Sequence, residues 1–128
     1  MEYLFILSRV LFGGFFVNAA YNHFKNHTML AGYATSKGVP FPLLAVLGTG
    51  VLCLFGGAGI ILGVYVKWAV LAIVVFLLPT SFMMHGFWSM TDPAARASNK
   101  DSFIRNMTLI GGALAYLFIA EPWMWSLF

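Results

Sequence analysis

The chain has 128 residues, of which 61% are hydrophobic and only 9% are charged. Soluble domains carry about 25% charged residues, so this composition excludes an ordinary soluble domain and indicates a membrane protein. The net charge of +3 is small, and the basic residues form no run among aromatics, which excludes a nucleic-acid-binding surface. The single cysteine, Cys53, excludes an internal disulfide, a CxxC redox pair and a cysteine-based zinc cluster.

Four apolar segments are long enough to cross a bilayer, which takes about 20 residues of helix. They comprise residues 3–24, 42–62, 68–87 and 103–120. The first segment has Glu2 but no Lys or Arg at its start and lacks a small-residue cleavage site, so we expect a retained helix rather than a signal peptide. The sequence therefore predicts one membrane domain over residues 1–128, an all-α, four-transmembrane-helix up-down bundle.

Two of the connections carry clear signals. Gly63 and Lys67 bound a turn so short that the second and third helices must be antiparallel neighbours. In loop one, Met29, Leu30 and Tyr33 fall on one helical face. That pattern predicts a short interfacial helix lying on the membrane surface.

Prolines mark two further features of the second half of the chain. In loop three, Asp92 and Pro93 follow the pattern of an N-cap and a first-turn proline, which predicts another short helix. Pro79 lies instead within the third apolar segment, where the missing backbone donor predicts a kink.

The distribution of Lys and Arg between the two sides of the bundle predicts its orientation. Loops one and three, with the start of the fourth helix, carry Lys25, Lys37, Arg96, Lys100 and Arg105. The opposite side carries Lys67, and Arg9 can reach that side along its flexible side chain. We therefore expect a multi-pass protein of the cell (inner) membrane, with loops one and three in the cytoplasm and both termini outside.

Small residues recur at the spacing that lets membrane helices approach closely. The first and second helices contain Gly13, Gly14, Gly48, Gly50, Gly56, Gly57, Gly59 and Gly63. The fourth helix contains Thr108, Gly111, Gly112 and Ala115. Such faces supply the packing energy that associates helices in a bilayer. They can pack within the bundle, or they can meet a partner subunit or a flat cofactor.

Arg9 is the least expected residue of the first helix, where Ser8 and Asn18 are the only other polar residues between positions 4 and 20. A cation at membrane depth costs about 3 kcal/mol or more, so it usually has a partner or a function. One interpretation is an ion pair with Glu121 that closes the bundle. The other is an anion or polar-headgroup site between helices one, three and four, for example for a quinone carbonyl.

Other polar groups gather on the side of loops one and three, namely His23, His27, His85, Arg105 and Asn106. Histidines at helix ends often bond to headgroups or loops, whereas His85 is either a structural or a ligand-binding residue. Three histidines on one side would permit a haem or metal site. No two lie at mid-membrane depth on facing helices, and no acid is placed to orient them, so we expect neither group. No catalytic residue is predicted, because the sequence contains no nucleophilic triad, phosphate loop or carboxylate pair.

Four motifs, taken in order, resemble those of the DoxX family of small four-helix membrane proteins. They are Arg9-Val-Leu-Phe-Gly13, Tyr33-Ala-Thr-Ser-Lys-Gly-Val-Pro40, His85-Gly86-Phe87-Trp88 and Phe103-Ile-Arg105-Asn106 followed by Gly111-Gly112. Two positions depart from the family pattern: Gly86 stands where an acid is common, and Arg105 stands where lysine is common. The resemblance runs over nearly the whole length and implies the four-helix fold.

The resemblance also implies a link to membrane redox enzymes, because the family is named for small subunits of thiosulfate:quinone-type oxidoreductases. On this basis we expect an accessory or quinone-side subunit of a membrane oxidoreductase or electron-transfer complex, surrounded by lipid and other membrane subunits and not catalytic alone. The predicted contacts for a quinone, a lipid or a partner are Arg9, His85, Arg105 and Asn106. The alternatives are a purely structural subunit that fills a lipid gap and a small carrier of a hydrophobic solute.

Overall fold

The computed structural model describes residues 2–123, and the regular elements within this range are all helical. They are α1 (Glu2–Lys25), α2 (His27–Ser36), α3 (Pro42–Leu62), α4 (Val66–Met84), a 3-10 turn (Phe87–Ser89) and α5 (Pro93–Tyr116). Three stretches are long and apolar enough to cross a membrane: α1, α3, and α4 continued through the 3-10 turn. These helices bear out the predicted all-α membrane protein.

Local sequence signals set both ends of α3. The helix begins at Pro42, in the first turn, where a missing N–H leaves no bond unmade. It ends before Gly63, whose left-handed φ of 70° lets its N–H reach the carbonyl of Gly59 at 2.8 Å. The turn that follows is short, so α3 and α4 are packed neighbours as predicted.

The predicted bounds are wrong around α5. The sequence predicts a short helix near residue 93 and a separate span over 103–120, whereas one continuous helix runs from Pro93 to Tyr116. Asp92 caps it, because its side chain accepts a hydrogen bond from the Ala95 N–H at 3.0 Å. The next residues, 117–119, bond three positions back, which tightens the chain into turns.

The helix of the third predicted span is shifted, because α4 begins at Val66 rather than at residue 68. The helix stops at Met84 rather than at residue 87, with His85 as its C-cap, and the chain continues as the 3-10 turn. Pro79 lies inside α4, which extends for five more residues beyond it.

Loop one contains the predicted short helix, α2. It packs against α3 and touches the end of α1. Ala34 is its buried residue, while Met29 of the predicted apolar face is 65% exposed. The other two residues of that face, Leu30 and Tyr33, line a cavity beneath the helix.

Glycines of α3 let it contact α1 and α4 at backbone distance. A Cβ placed on Gly57 would lie 2.6 Å from the carbonyl oxygen of Gly13 in α1. On the opposite side, a Cβ on Gly59 would lie 2.7 Å from the Cβ of Ala69 in α4. These contacts confirm that small residues pack within the bundle. Three other glycines of the bundle face open space, because a Cβ placed on them would have no heavy atom within 4 Å. They are Gly14, Gly48 and Gly111.

Replacing Gly57 with alanine is expected to lower the free energy of unfolding in detergent by about 2 kcal/mol. The added methyl would lie 2.6 Å from the Gly13 oxygen and 2.9 Å from the Val17 nitrogen, and backbone atoms cannot swing aside. Gly48→Ala in the same helix is the matched control and should be neutral or slightly stabilising. Equal effects of the two substitutions on the denaturation midpoint would contradict the close α1–α3 contact.

Candidate functional site

A cavity of about 410 Å³ lies at the end of the bundle that α2 covers. Its walls come from all five helices and are mostly apolar, with Phe76 and Leu77 of α4 among them. Its polar lining residues include His23, His85, Arg105 and Asn106. We call it the histidine cavity. Its volume lies within the range of about 300–1,000 Å³ that is typical of small-molecule sites.

The cavity brings together three of the predicted site residues and leaves out the fourth. His85, Arg105 and Asn106 line it, whereas Arg9 does not. His23, which the sequence pattern indicates as an interfacial residue, is an additional lining residue. His23 lies three positions after Ala20, on the buried face of α1, and that spacing is the signal that could have found it.

A hydrogen-bond chain orients the ring of His85. The Asn99 Nδ2 group donates to the Ala95 carbonyl at 2.8 Å, so the Asn99 Oδ1 atom is the one facing His85. His85 Nδ1 lies 3.0 Å from that oxygen. Since an amide oxygen only accepts, His85 Nδ1 carries the proton and donates.

His23 is oriented by its own helix. Its Nδ1 atom lies 2.7 Å from the carbonyl oxygen of Ala19, which again can only accept. The ring also packs edge-on against Phe76, with centroids 5.5 Å apart. Gly50 of α3 allows this approach, because a Cβ there would lie 3.0 Å from that of His23. The imidazole is therefore held by a hydrogen bond and by packing.

Asn106 is the most unusual polar residue of the cavity. It is only 3% exposed, and its amide makes no hydrogen bond within residues 2–123. No fully enclosed side-chain N or O atom in this range lacks a partner, so the Asn106 amide must open into the cavity it lines. A buried amide without a partner costs about 1–3 kcal/mol. Its place at the cavity wall indicates a site prepared for a polar group.

Arg105 supplies positive charge at the cavity. It is exposed, and its guanidinium carbon lies 5.9 Å from the centre of the Phe15 ring. Within the described range 2–123, neither Asp nor Glu is among the lining residues. The electrostatics of the cavity therefore favour a ligand with acceptor oxygens or negative charge.

Arg9 occupies a different place, at the C-terminal end of α3. It is 2% exposed, and it donates from Nε to the Ile60 carbonyl at 3.2 Å and from Nη2 to the Ile61 carbonyl at 2.8 Å. Its guanidinium carbon also lies 5.4 Å from the Phe5 ring centre and 5.5 Å from that of Trp123. These carbonyls belong to the last turn of α3, which has no intrahelical donors for them and forms the negative end of its dipole.

Arg9 therefore acts as a cap supplied to α3 by another helix. Glu121, the predicted ion-pair partner, is exposed and takes no part in these contacts within residues 2–123. The membrane-depth cation is satisfied by carbonyl oxygens and aromatic faces.

The remaining histidine stands apart from the cavity. His27 is exposed, and its Nδ1 lies 2.9 Å from the Phe24 carbonyl. Across residues 2–123, no group of three or more His, Cys, Asp or Glu side chains is placed to hold a metal.

The helices and the histidine cavity define a helical membrane protein with a mostly apolar cavity at one end, in which a few polar side chains lie. The chain belongs to the DoxX family, whose model matches residues 4–86. The match covers α1 to α4, with the motifs at 9–13 and 33–40, and ends before α5, so it is shorter than the resemblance predicts. No curated protein and no solved structure gave a significant match.

Proposed function

We propose that this protein binds a quinone in the histidine cavity and serves as an accessory, quinone-side subunit of a membrane oxidoreductase. One observation carries the proposal: a mostly apolar cavity of ligand size holds a buried amide, Asn106, that has no partner among residues 2–123, beside a cation, Arg105. A quinone has the matching form, a flat apolar ring with two oxygens that accept hydrogen bonds.

The composition of the cavity wall supports a ring compound over other ligands. Phe76, Leu77 and Met83 provide apolar surface that would not suit a sugar or a free inorganic anion. The Asn106 amide and the Arg105 guanidinium are donors, and each can bond a carbonyl oxygen. The apolar membrane surroundings would supply such a ligand directly from the bilayer.

The residues that line the cavity support a role as a subunit, because none of the described ones could carry electrons. Among the described residues 2–123, the lining contains no cysteine and no group of side chains placed to hold a metal, so electrons would have to reach the quinone from another protein. The redox association of the family, as implied by the resemblance, supports such a partner. In this arrangement α5 completes a four-span bundle of the inner membrane, with α2 and the cavity on the cytoplasmic side.

If the histidine cavity binds a quinone, the protein should have a measurable affinity for menadione in mild detergent. Arg105→Gln should weaken binding about tenfold, because a hydrogen bond from a charged donor contributes about 1.5–3 kcal/mol. Arg96→Gln is the matched control, since Arg96 is an exposed arginine of α5 outside the cavity lining. Titration calorimetry on all three proteins provides the measurement. Absence of binding to the wild type would refute the quinone site.

The proposed assembly with a membrane oxidoreductase is tested separately. Purification in mild detergent followed by mass spectrometry should recover a redox-active membrane or peripheral subunit with the protein. Recovery of non-redox partners alone, with no quinone bound, would favour a purely structural subunit instead.

A further inference from the structure

Both histidines of the cavity are held in the same tautomer. His85 Nδ1 donates to the Asn99 amide oxygen at 3.0 Å, and His23 Nδ1 donates to the Ala19 carbonyl at 2.7 Å. In a neutral imidazole with its proton on Nδ1, the Nε2 atom has a lone pair and no hydrogen. Both histidines line the cavity, and no enclosed side-chain nitrogen within residues 2–123 lacks a partner, so each neutral ring keeps an accessible Nε2 as a hydrogen-bond acceptor.

The two redox states of a quinone differ in whether they can donate a hydrogen bond to these acceptors. The oxygens of the oxidised ring are carbonyls, which only accept hydrogen bonds. The oxygens of the hydroquinone are hydroxyls, which both donate and accept. Asn106 and Arg105 can donate to the oxygens of either form, so they discriminate little. In the neutral imidazole, His23 Nε2 and His85 Nε2 can bond only to a ligand that brings its own hydrogens.

We propose that the histidine cavity prefers the reduced, hydroxyl-bearing form of its ligand, with His23 and His85 as the residues that determine this preference. The inference rests on the proposed function, because it takes the quinone site as given and assigns which redox state occupies it. His23 and His85 are specificity-determining residues in this role, and they accept hydrogen bonds from the ligand hydroxyls.

The burial of the site strengthens the discrimination. A carbonyl oxygen placed against Nε2 would leave two acceptors facing each other without a proton, away from most of the solvent. A hydroxyl in the same place forms one bond and leaves no group unpaired. Sites built around a ligand hydroxyl reject the analogue without it far more strongly than apolar pockets distinguish single methylenes.

The direct test compares dissociation constants for menadione and for menadiol, its two-electron-reduced hydroquinone, under anaerobic conditions at mildly alkaline pH. One hydrogen bond contributes about fivefold in affinity, so two should make menadiol bind about 25-fold tighter. The dimethyl ether of menadiol, which keeps the ring and loses both hydroxyl hydrogens, should lose most of that advantage without any change to the protein.

Variants assign the preference to residues. His85→Phe and His23→Phe should each reduce the menadiol-to-menadione ratio about fivefold, and the double variant should abolish it. His27→Phe is the matched control, because His27 is an exposed histidine outside the cavity, and it should leave the ratio unchanged. Should either cavity variant fail to fold, the ether comparison on the wild type still decides the matter.

The possible outcomes distinguish the preference for the reduced ligand from the existence of the quinone site itself. Failure of all three ligands to bind would overturn the quinone site itself. Equal affinity for menadione and menadiol, or tighter binding of menadione, would leave a quinone site standing and overturn the preference. A preference for menadiol that survives the double histidine variant would overturn the assignment to His23 and His85.

Discussion

Replacing Arg9 with methionine is expected to lower the free energy of unfolding by about 3 kcal/mol, the largest stability effect we predict. Methionine keeps much of the side-chain volume but leaves the carbonyls of Ile60 and Ile61 without the donors that now reach them at 3.2 and 2.8 Å. Each buried carbonyl without a partner costs about 1–3 kcal/mol. The cation–π contacts with Phe5 and Trp123 are lost as well.

Two further substitutions provide comparisons for Arg9→Met. Arg9→Lys retains the charge but has no planar fork with which to reach both carbonyls, so it should lose about half as much stability. Lys67→Met removes an exposed cation and should change little. Denaturant titration in detergent measures all three. If Arg9→Met proved as stable as the wild type while menadione binding fell, Arg9 would instead belong to the ligand site, which is one of the two interpretations that the sequence leaves open.

The partners of Arg9 show a limit of sequence reasoning. Glu121 is the obvious candidate because charge is visible in a sequence, whereas every residue carries a carbonyl and none is marked as the acceptor. Ile60 and Ile61 become acceptors only because α3 ends at Gly63 and α1 passes that end closely. The close passage depends on Gly13 and Gly57, and their small size is visible in the sequence although their pairing is not.

The bounds of a helix are predictable where a local sequence signal is compatible with only one structure. Pro42 and Gly63 are strong start and stop signals, and residues 42–62 form a helix as predicted. At α5 the local signals mark a helix start but do not show how far the helix continues. Asp92 and Pro93 do begin a helix, but the sequence predicts that it is short and belongs to a loop, whereas the helix continues to Tyr116 and packs against α4.

The candidate site was predictable in part for a related reason. His85, Arg105 and Asn106 stand out because polar residues near apolar segments are few. Their convergence was not predictable, because it depends on how α5 lies against α4. The sequence pattern does not assign His23 to the site, because a histidine in the last turn of α1 is normally explained by the interface, and the close approach that Gly50 of α3 allows is not visible in the sequence.

Asn106→Leu is expected to act in opposite directions on stability and on ligand binding. In the ligand-free protein, leucine fills a similar shape and removes a buried amide that has no partner within residues 2–123, so unfolding should become about 1–2 kcal/mol harder. Menadiol binding should fall about 100-fold, because a ligand oxygen would then be buried against a methyl group. Thermal denaturation and calorimetry on the same preparation measure both effects.

The control is a second asparagine of α5, Asn99. Asn99 uses its amide in two bonds, to His85 at 3.0 Å and to Ala95 at 2.8 Å, so Asn99→Leu should destabilise the protein. Loss of stability in both variants would mean that Asn106 is a structural residue. A stabilised Asn106→Leu that no longer binds would identify an amide kept for function at the expense of stability, which is the signature of a binding site rather than of a packing position.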